Sequence, residues 1–208
     1  MPSHVINLQS PLSLRNSLRF PVQSAASRRD VLIGGLWLLV PGVGWLMNMG
    51  HRIVFVHRMH HGEPPFPAWG DPIGLLKHGV ITWLGMLYYY TPAGALGALA
   101  YALEQPGLWI PSALLWAVAT IAIPGYMTFY CKAFDPSEIF NPLKALGRVR
   151  QGGGAYWRAW GIVSVGLALS FAGLLAGGVG FLFTSVWFWQ SAGFSFATVF
   201  TPQVEAND

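Results

Sequence analysis

Histidine and arginine side chains crowd into residues 48–71, where a hydrophobic segment runs into a proline-rich loop. His57 and His61 are four residues apart, so a helix would place them on one face, with His60 beside them. Imidazoles at this spacing can chelate a divalent metal once a third ligand, such as Glu63 or His51, folds back. The simpler interpretation is an interfacial helix end, because the sequence assigns no hydrogen-bonding groups that would orient the imidazoles. The same cluster could also sense pH at about pH 6.

A further candidate ligand, His78, stands at the start of a long apolar block. An imidazole inside the bilayer could bind a porphyrin-type pigment, since ionisable groups within membrane segments commonly serve a function. The adjacent Lys77 favours a position at the membrane surface instead. These residues suggest no cofactor other than a pigment or a divalent metal. We expect that the protein needs neither.

The acidic residues do not indicate catalysis. The eight Asp and Glu residues are scattered through loops and chain ends. No nucleophile, base and orienting group can be assembled from their spacing. We therefore expect that the protein is not an enzyme.

The composition of the chain favours a membrane environment. Its 208 residues are 53% hydrophobic and 10% charged, whereas a soluble domain is about 25% charged. The net charge of +4 could suggest nucleic acid, but the sequence has no basic face with stacking aromatic residues and no recognised nucleic-acid module. We expect the partners to be the lipid bilayer and other membrane protein subunits, and not nucleic acid.

The positions of the positive charges predict the membrane topology of the chain. The twelve Lys and Arg residues form three tracts: Arg15, Arg19, Arg28 and Arg29; Arg52, Arg58 and Lys77; and Lys132, Lys144, Arg148, Arg150 and Arg158. Lys and Arg beside membrane segments are retained in the cytoplasm, so we expect all three tracts on that side. Each apolar block between them then enters the bilayer and returns. The sequence thus predicts a multi-pass protein of the cell inner (plasma) membrane with cytoplasmic N- and C-termini.

The first apolar block, residues 31–56, is ambiguous in length. As one helix it would be about 39 Å long, which exceeds a hydrocarbon core of about 30 Å but falls short of two crossings. A proline and two glycines at residues 41–44 are a plausible break. We favour a short re-entrant hairpin over one tilted span.

Two further hairpins are predicted from longer blocks. Residues 74–131 are divided by a polar turn at 104–107, and residues 159–200 by a glycine turn at 177–180. Each half is about long enough to cross the bilayer. The expected fold is therefore all-α and polytopic, with three consecutive helical hairpins, the first short or re-entrant, and cytoplasmic amphipathic helices. The domains would be a cytoplasmic segment (1–30) with a possible interfacial helix, one membrane domain (31–200) and a polar tail (201–208).

Several residues are predicted to lie at the membrane interface. Prolines that follow His61 should end the helix there, and a surface helix should begin either at a capping box at 135–138 or at Asn141, and end at glycines 152–154. The predicted contacts with lipid headgroups and the interface are Arg52, Arg58, Lys144, Arg148 and Trp69.

Several short motifs resemble a known family. They are LRFP at 18–21, IGGL at 33–36, PGVG at 41–44, GEPPFPAW at 62–69 and IPGYMTFY at 123–130. With these motifs the chain resembles the domain-of-unknown-function family numbered 4013, small multi-pass membrane proteins of bacteria and archaea. A departure from that pattern is His51, where the family would place an aromatic residue. The resemblance implies a membrane topology and no particular reaction.

The sequence offers no chemical site that can be assigned, and the predicted function follows from this absence. We expect a non-enzymatic accessory or scaffold subunit of a membrane complex, whose helices pack through small residues such as Gly173 and Gly177. A small transporter or lipid-handling protein is the first alternative. The predicted spans contain few polar residues, which disfavours a polar substrate and leaves an apolar or lipid-like one. A metal- or pigment-binding membrane subunit is the second alternative.

Overall fold

The computed structural model describes residues 5–201 as an all-helical protein, without a β-strand in that range. The predicted all-α class is therefore confirmed. Nearly all of the predicted polar tail, residues 202–208, lies outside the described residues. The α-helices are α1 (Leu14–Arg19), α2 (Ala25–Trp37), α3 (Val43–His60), α4 (Pro72–Ala102), α5 (Trp109–Ala133), α6 (Pro142–Ser170) and α7 (Val179–Val199).

The helix boundaries follow from glycine and proline. Helix α3 begins after Gly42, whose φ of 76° is unfavourable for residues with a side chain. It ends at His60, and Gly62 follows with a φ of 72°. Helix α4 begins at Pro72, and the Asp71 carboxylate accepts a hydrogen bond of 3.0 Å from the Gly74 amide. These positions confirm the predicted break in the first apolar block and the helix end near His61.

Helix α6 consists of two helical parts that meet at Gly153. Of the two proposed starts, the structure selects Asn141, which caps α6 through the Lys144 amide, while Pro136–Glu138 forms a separate 3₁₀ turn. The predicted end of the surface helix at glycines 152–154 is confirmed, because the helix is interrupted there. Gly153 has a φ of 51° and a ψ of −138°, a backbone conformation that suits glycine alone. A second helical part of α6 follows directly and continues to Ser170.

Two segments are long and apolar enough to cross a membrane. They lie in Pro106–Ala133 and Pro142–Leu175, and the most apolar 18-residue stretch of each has a mean hydropathy of 1.6. Only 11% and 33% of their most apolar stretches are buried inside the protein. A core helix of a soluble protein buries such a surface, so these outward-facing apolar side chains suit contact with lipid.

Helix α3 lies at the centre of the bundle, in contact with α2, α4, α5 and α7. Its Gly50 lies against the Leu75 carbonyl of α4, and Gly79 of α4 lies against the Leu46 carbonyl of α3. A side chain at either glycine would overlap that carbonyl group, so the two backbones approach as closely as small residues permit.

The N-terminal segment packs against the bundle. Phe20 is fully buried, and its ring stacks on Phe194 of α7 with 4.6 Å between the ring centroids. The Trp187 indole of α7 donates a hydrogen bond of 3.0 Å to the Leu18 carbonyl. These contacts join α1 and the 3₁₀ turn after it to α7, so this segment belongs to the same core as the apolar helices.

The close contact between α3 and α4 predicts that Gly79→Ala destabilises the protein. The added methyl group would overlap the Leu46 carbonyl, and overpacking of this kind typically costs about 1–3 kcal/mol. The midpoint of thermal unfolding in detergent should fall accordingly. Gly94→Ala is the matched control on the same helix, because no atom lies within 4 Å of its added methyl group. Equal midpoints for the two variants would contradict the close contact.

Candidate functional site

An apolar cavity of about 310 Å³ lies among α3, α4, α5, α6 and α7. Its walls include Val56, Met86, Ile123, Phe188 and Phe196. Cavities that hold small molecules are commonly about 300–1,000 Å³ and lined mostly by hydrophobic side chains. The cavity therefore has the size and the lining of a small ligand-binding site.

Arg52 brings a positive charge into this cavity. Its Nη2 atom donates to the Met127 sulfur at 3.2 Å, and its guanidinium carbon lies 4.9 Å from the centroid of the Trp189 ring. Neither contact neutralises the charge. Within residues 5–201, the ion pairs are His51 with Asp30 and Glu138 with both Lys144 and Arg148, and none involves Arg52.

The packing of α3 against α7 makes room for the Arg52 side chain. A Cβ atom at Gly193 of α7 would lie 3.1 Å from Cγ of Arg52 and 2.9 Å from Cζ of Phe55. Both distances are closer than ordinary van der Waals contact, so a residue with a side chain at position 193 would displace the arginine stem. Glycine at this position lets the guanidinium group reach the cavity.

The hydroxyl groups of Thr120, Thr128 and Tyr90 in the cavity wall are already engaged. Thr128 donates to the Pro124 carbonyl at 2.8 Å, and Thr120 donates to the Trp116 carbonyl at 2.9 Å. The Tyr90 hydroxyl therefore donates to Thr120 Oγ1 across their distance of 2.9 Å. The guanidinium of Arg52 is left as the strongest donor that the cavity offers to a ligand.

A second polar feature, a buried pair of Asp30 and His51, joins α2, α3 and the proline loop. The Asp30 Oδ2 atom accepts from His51 Nε2 at 2.9 Å and from the Ala68 amide at 2.7 Å. The Trp69 indole donates to the Asp30 carbonyl at 3.1 Å, and its ring stacks on His51 with centroids 4.4 Å apart. The side chains of Asp30 and His51 are 0% and 1% exposed. These contacts fix α2 and the loop against α3.

Sequence reasoning missed Asp30. It is a single carboxylate directly before the first apolar block, and that position is the signal that could have identified it. Spacing along the chain does not show that the proline loop returns to this residue. His51, where the resemblance would lead us to expect an aromatic residue, is the partner of Asp30.

The histidines proposed as metal ligands make other contacts. The rings of His57 and His61 lie 4.1 Å apart, but Nδ1 of His57 donates to the Cys131 carbonyl at 2.7 Å and Nδ1 of His61 to the His57 carbonyl at 2.9 Å. Among the described residues, no group of three or more His, Cys, Asp or Glu residues could hold a metal. Burial lowers the pKa of His60 to about 4, and the positive charge of Lys132 contributes to the shift. His60 is therefore neutral at the pH of about 6 at which we expected the cluster to respond.

His78, the candidate pigment ligand, packs against protein. Its Nδ1 atom lies 2.8 Å from the Tyr130 hydroxyl, and its ring lies 4.1 Å from the Phe134 ring. Phe134 also stacks on His57 at 4.0 Å. The Phe134 ring therefore lies between His57 and His78. The contacts of His78 hold the start of α4 against the end of α5.

The other residues proposed for the membrane interface are engaged within the protein. Arg58 donates to the Pro67 carbonyl, and Trp69 covers His51 as described above. Lys144 and Arg148 both reach Glu138, at 3.4 Å and 3.1 Å. Their charges are partly neutralised, which leaves Arg52 and Arg58 without an ionic partner among the described residues. Of these two, Arg52 lines the cavity.

The fold and the cavity together define an all-helical protein with two helices apolar enough to cross a membrane and an internal apolar site that contains one arginine. No family model matches the chain, and neither a curated protein nor a solved structure matches it. The resemblance to the family numbered 4013 therefore stays a prediction.

The buried pair predicts that Asp30→Ala is strongly destabilising. Removing the carboxylate leaves His51 and the Ala68 amide without an acceptor, and breaking a buried pair in this way costs about 3–5 kcal/mol. Chemical unfolding in mixed micelles measures the loss. Glu138→Ala is the control, because its partners are partly exposed and such pairs contribute about 1 kcal/mol or less. A loss for Asp30→Ala no larger than the control would show that the pair does not hold the fold.

Proposed function

We propose that this protein is a multi-pass integral membrane protein that binds a lipid-like molecule in the cavity among α3 to α7. The observation that carries the proposal is the apolar cavity of about 310 Å³, which lies between helices with outward-facing apolar surfaces. An apolar cavity of this kind excludes water and gains free energy when an apolar group fills it. The function is binding or carriage of a lipid-like molecule rather than a chemical reaction.

The proposed topology is three helical hairpins, the first re-entrant. Helix α4 would be about 46 Å long and α2 only about 20 Å, so α4 can cross a core of about 30 Å whereas α2 cannot. Lys132, near the end of α5, donates to the Phe200 carbonyl at the end of α7. His57, near the end of α3, bonds to the Cys131 carbonyl of α5. The proximity of these three helix ends supports their placement on one side of the membrane.

The accessory-subunit function expected from the sequence receives less support. Several small residues make their contacts inside the chain: Gly50 and Gly79 join α3 to α4, and Gly173 packs on the backbone at Gly180. Gly177 is exposed and has no such contact. The large outward-facing side chains of α5, such as Trp109 and Trp116, suit lipid as well as a protein partner. We therefore place ligand binding first and the scaffold role second.

The topology predicts which engineered cysteines react from the cytoplasm. In a Cys131→Ala background, Gln9→Cys and Ser137→Cys should both react with an impermeant maleimide added to inside-out vesicles, because the positive tracts stay on that side. Gln105→Cys and Leu175→Cys should react only in right-side-out vesicles. Labelling of Gln9→Cys and Ser137→Cys from opposite sides would contradict the three hairpins.

Photolabelling tests whether the cavity binds a lipid-like molecule. A long-chain alkanol with a diazirine in its chain should label residues such as Met86 and Phe188 in reconstituted protein, and excess unlabelled alkanol should compete. Ala192→Phe should reduce this saturable labelling at least about fivefold, because the ring fills space beside the 6% exposed Ala192.

The matched control for this experiment is Ala168→Phe, which places the same ring on an exposed position of α6. Its saturable labelling should equal that of the unsubstituted protein. Labelling that does not saturate and falls only on outward-facing residues would contradict ligand binding in the cavity. A stable second protein that co-purifies in mild detergent, together with that result, would favour the scaffold role.

A further inference from the structure

We propose that the molecule bound in the cavity is an anionic amphiphile with a single acyl chain, whose headgroup oxygens pair with the guanidinium of Arg52. This inference rests on the proposed function, since it specifies the chemical class of the ligand for the same cavity. It specifies the charge of the ligand, the number of its hydrocarbon chains and its orientation in the cavity. The apolar lining alone does not determine these three properties.

The argument for an anion begins with the unpaired charge. Arginine stays protonated in proteins, so Arg52 cannot become neutral to suit an apolar wall. Arg52 is only partly exposed, and charges held away from water are normally paired or bound to a ligand. The contacts of Arg52 to the Met127 sulfur and the Trp189 ring offer polarisable atoms but no negative charge. An anionic ligand would supply the missing counter-charge.

No carboxylate of the described protein is placed to supply that charge. Asp30 is shared by His51 and the Ala68 amide, and Glu138 is held by Lys144 and Arg148. The remaining acidic side chains in residues 5–201 form no ion pair with Arg52. The positive charge therefore faces the cavity rather than a partner within the fold.

The geometry of the guanidinium group suits an oxyanion. Trp189 lies over the guanidinium at 4.9 Å, and an arginine that stacks on an aromatic ring can still donate through its N–H groups in the plane of the guanidinium. Carboxylate and phosphate groups accept two such hydrogen bonds in parallel. Headgroups of both kinds share this chemistry, so the proposal specifies the oxyanion and the experiment separates the two.

The dimensions of the cavity favour one chain. Its volume of about 310 Å³ holds roughly ten water-sized groups. Its lining extends along α5 from Cys131 to Thr120, roughly 16 Å at the helical rise. Arg52 contacts Met127, so roughly 10 Å of that length lies beyond the headgroup position toward Thr120. A single alkyl chain fits this narrow space, with its end near Tyr90 and Thr120.

The test is a competition experiment in phosphatidylcholine nanodiscs. The diazirine-bearing alkanol is the label, and the competitors are dodecanol, dodecanoate, dodecyl phosphate and dodecyltrimethylammonium, each measured per mole of lipid. In the unsubstituted protein, the two anions should compete roughly tenfold to a hundredfold better than dodecanol, which is the effect expected of a charge-assisted hydrogen bond. The cationic competitor should be the weakest of the four. Whichever anion competes better identifies the headgroup as carboxylate or phosphate.

Substitution of Arg52 connects this preference to the residue. In Arg52→Gln, the advantage of the anions over dodecanol should disappear while competition by dodecanol itself stays unchanged. Arg52→Lys should keep part of the advantage, because it retains the charge but not the planar fork. Arg158→Gln is the charge-matched control on an exposed position of α6, and it should compete as the unsubstituted protein does.

The outcomes separate this inference from the proposed function. If dodecanol competes as well as the anions in the unsubstituted protein, the anionic ligand is excluded although the cavity still binds a lipid-like molecule. An anion preference that survives in Arg52→Gln would likewise overturn the role of Arg52. If the alkanol label never binds saturably, the proposed function itself fails. The comparison of four competitors needs only the unsubstituted protein, so it holds even if Arg52→Gln does not fold.

Discussion

The constraint on which the functional account depends is the free-energy cost of holding the Arg52 charge in an apolar cavity without a carboxylate beside it. Arg52 lies roughly 12 Å along α3 from its end at His60, and its neighbours are a thioether sulfur and an indole ring. A fold retains such a group only if the surrounding packing is strong enough to hold it in place. The counter-charge is then expected from outside the chain.

The packing around α3 provides that support. On one side, Gly50 and Gly79 bring α3 and α4 into backbone contact, which fixes the position of α3 in the bundle. On another side, Asp30 and His51 join α2 and the proline loop to α3 through hydrogen bonds that leave His51 paired. His51 and Arg52 are consecutive residues of α3, but they differ in their contacts. The imidazole of His51 is paired within the chain, whereas the charge of Arg52 has no counter-charge among the described residues. The first residue holds the fold together, and the second is available for binding.

The helix boundaries could be predicted from the sequence, because the glycine and proline residues that set them act on their own backbone. Gly42 and Gly62 adopt positive φ values next to α3, and the polar turn at 104–107 separates α4 from α5. Gly153 acts in the same way, because its positive φ interrupts α6 where the surface helix was predicted to end.

The candidate site could not be predicted from the sequence, because it depends on tertiary contacts that the spacing of residues along the chain does not reveal. The sequence placed Arg52 near a membrane interface from its neighbours in the chain, but the cavity forms only when α5, α6 and α7 assemble around α3. Asp30 and Ala68 are likewise 38 positions apart and meet through the return of the proline loop. The histidine spacing of four suggested a metal site, whereas each imidazole had a backbone carbonyl as its partner. Periodicity indicates the face of a helix, and tertiary packing decides what that face contacts.

The most direct test of the central claim is anomalous diffraction from crystals of the protein grown with dodecanoate that carries bromine at its terminal carbon. The account predicts one bromine peak inside the cavity near Tyr90 and Thr120, with density for the carboxylate within hydrogen-bond distance of the Arg52 guanidinium. Bromine peaks confined to the outer surfaces of α5 and α6, with the cavity free of ligand density, would contradict it.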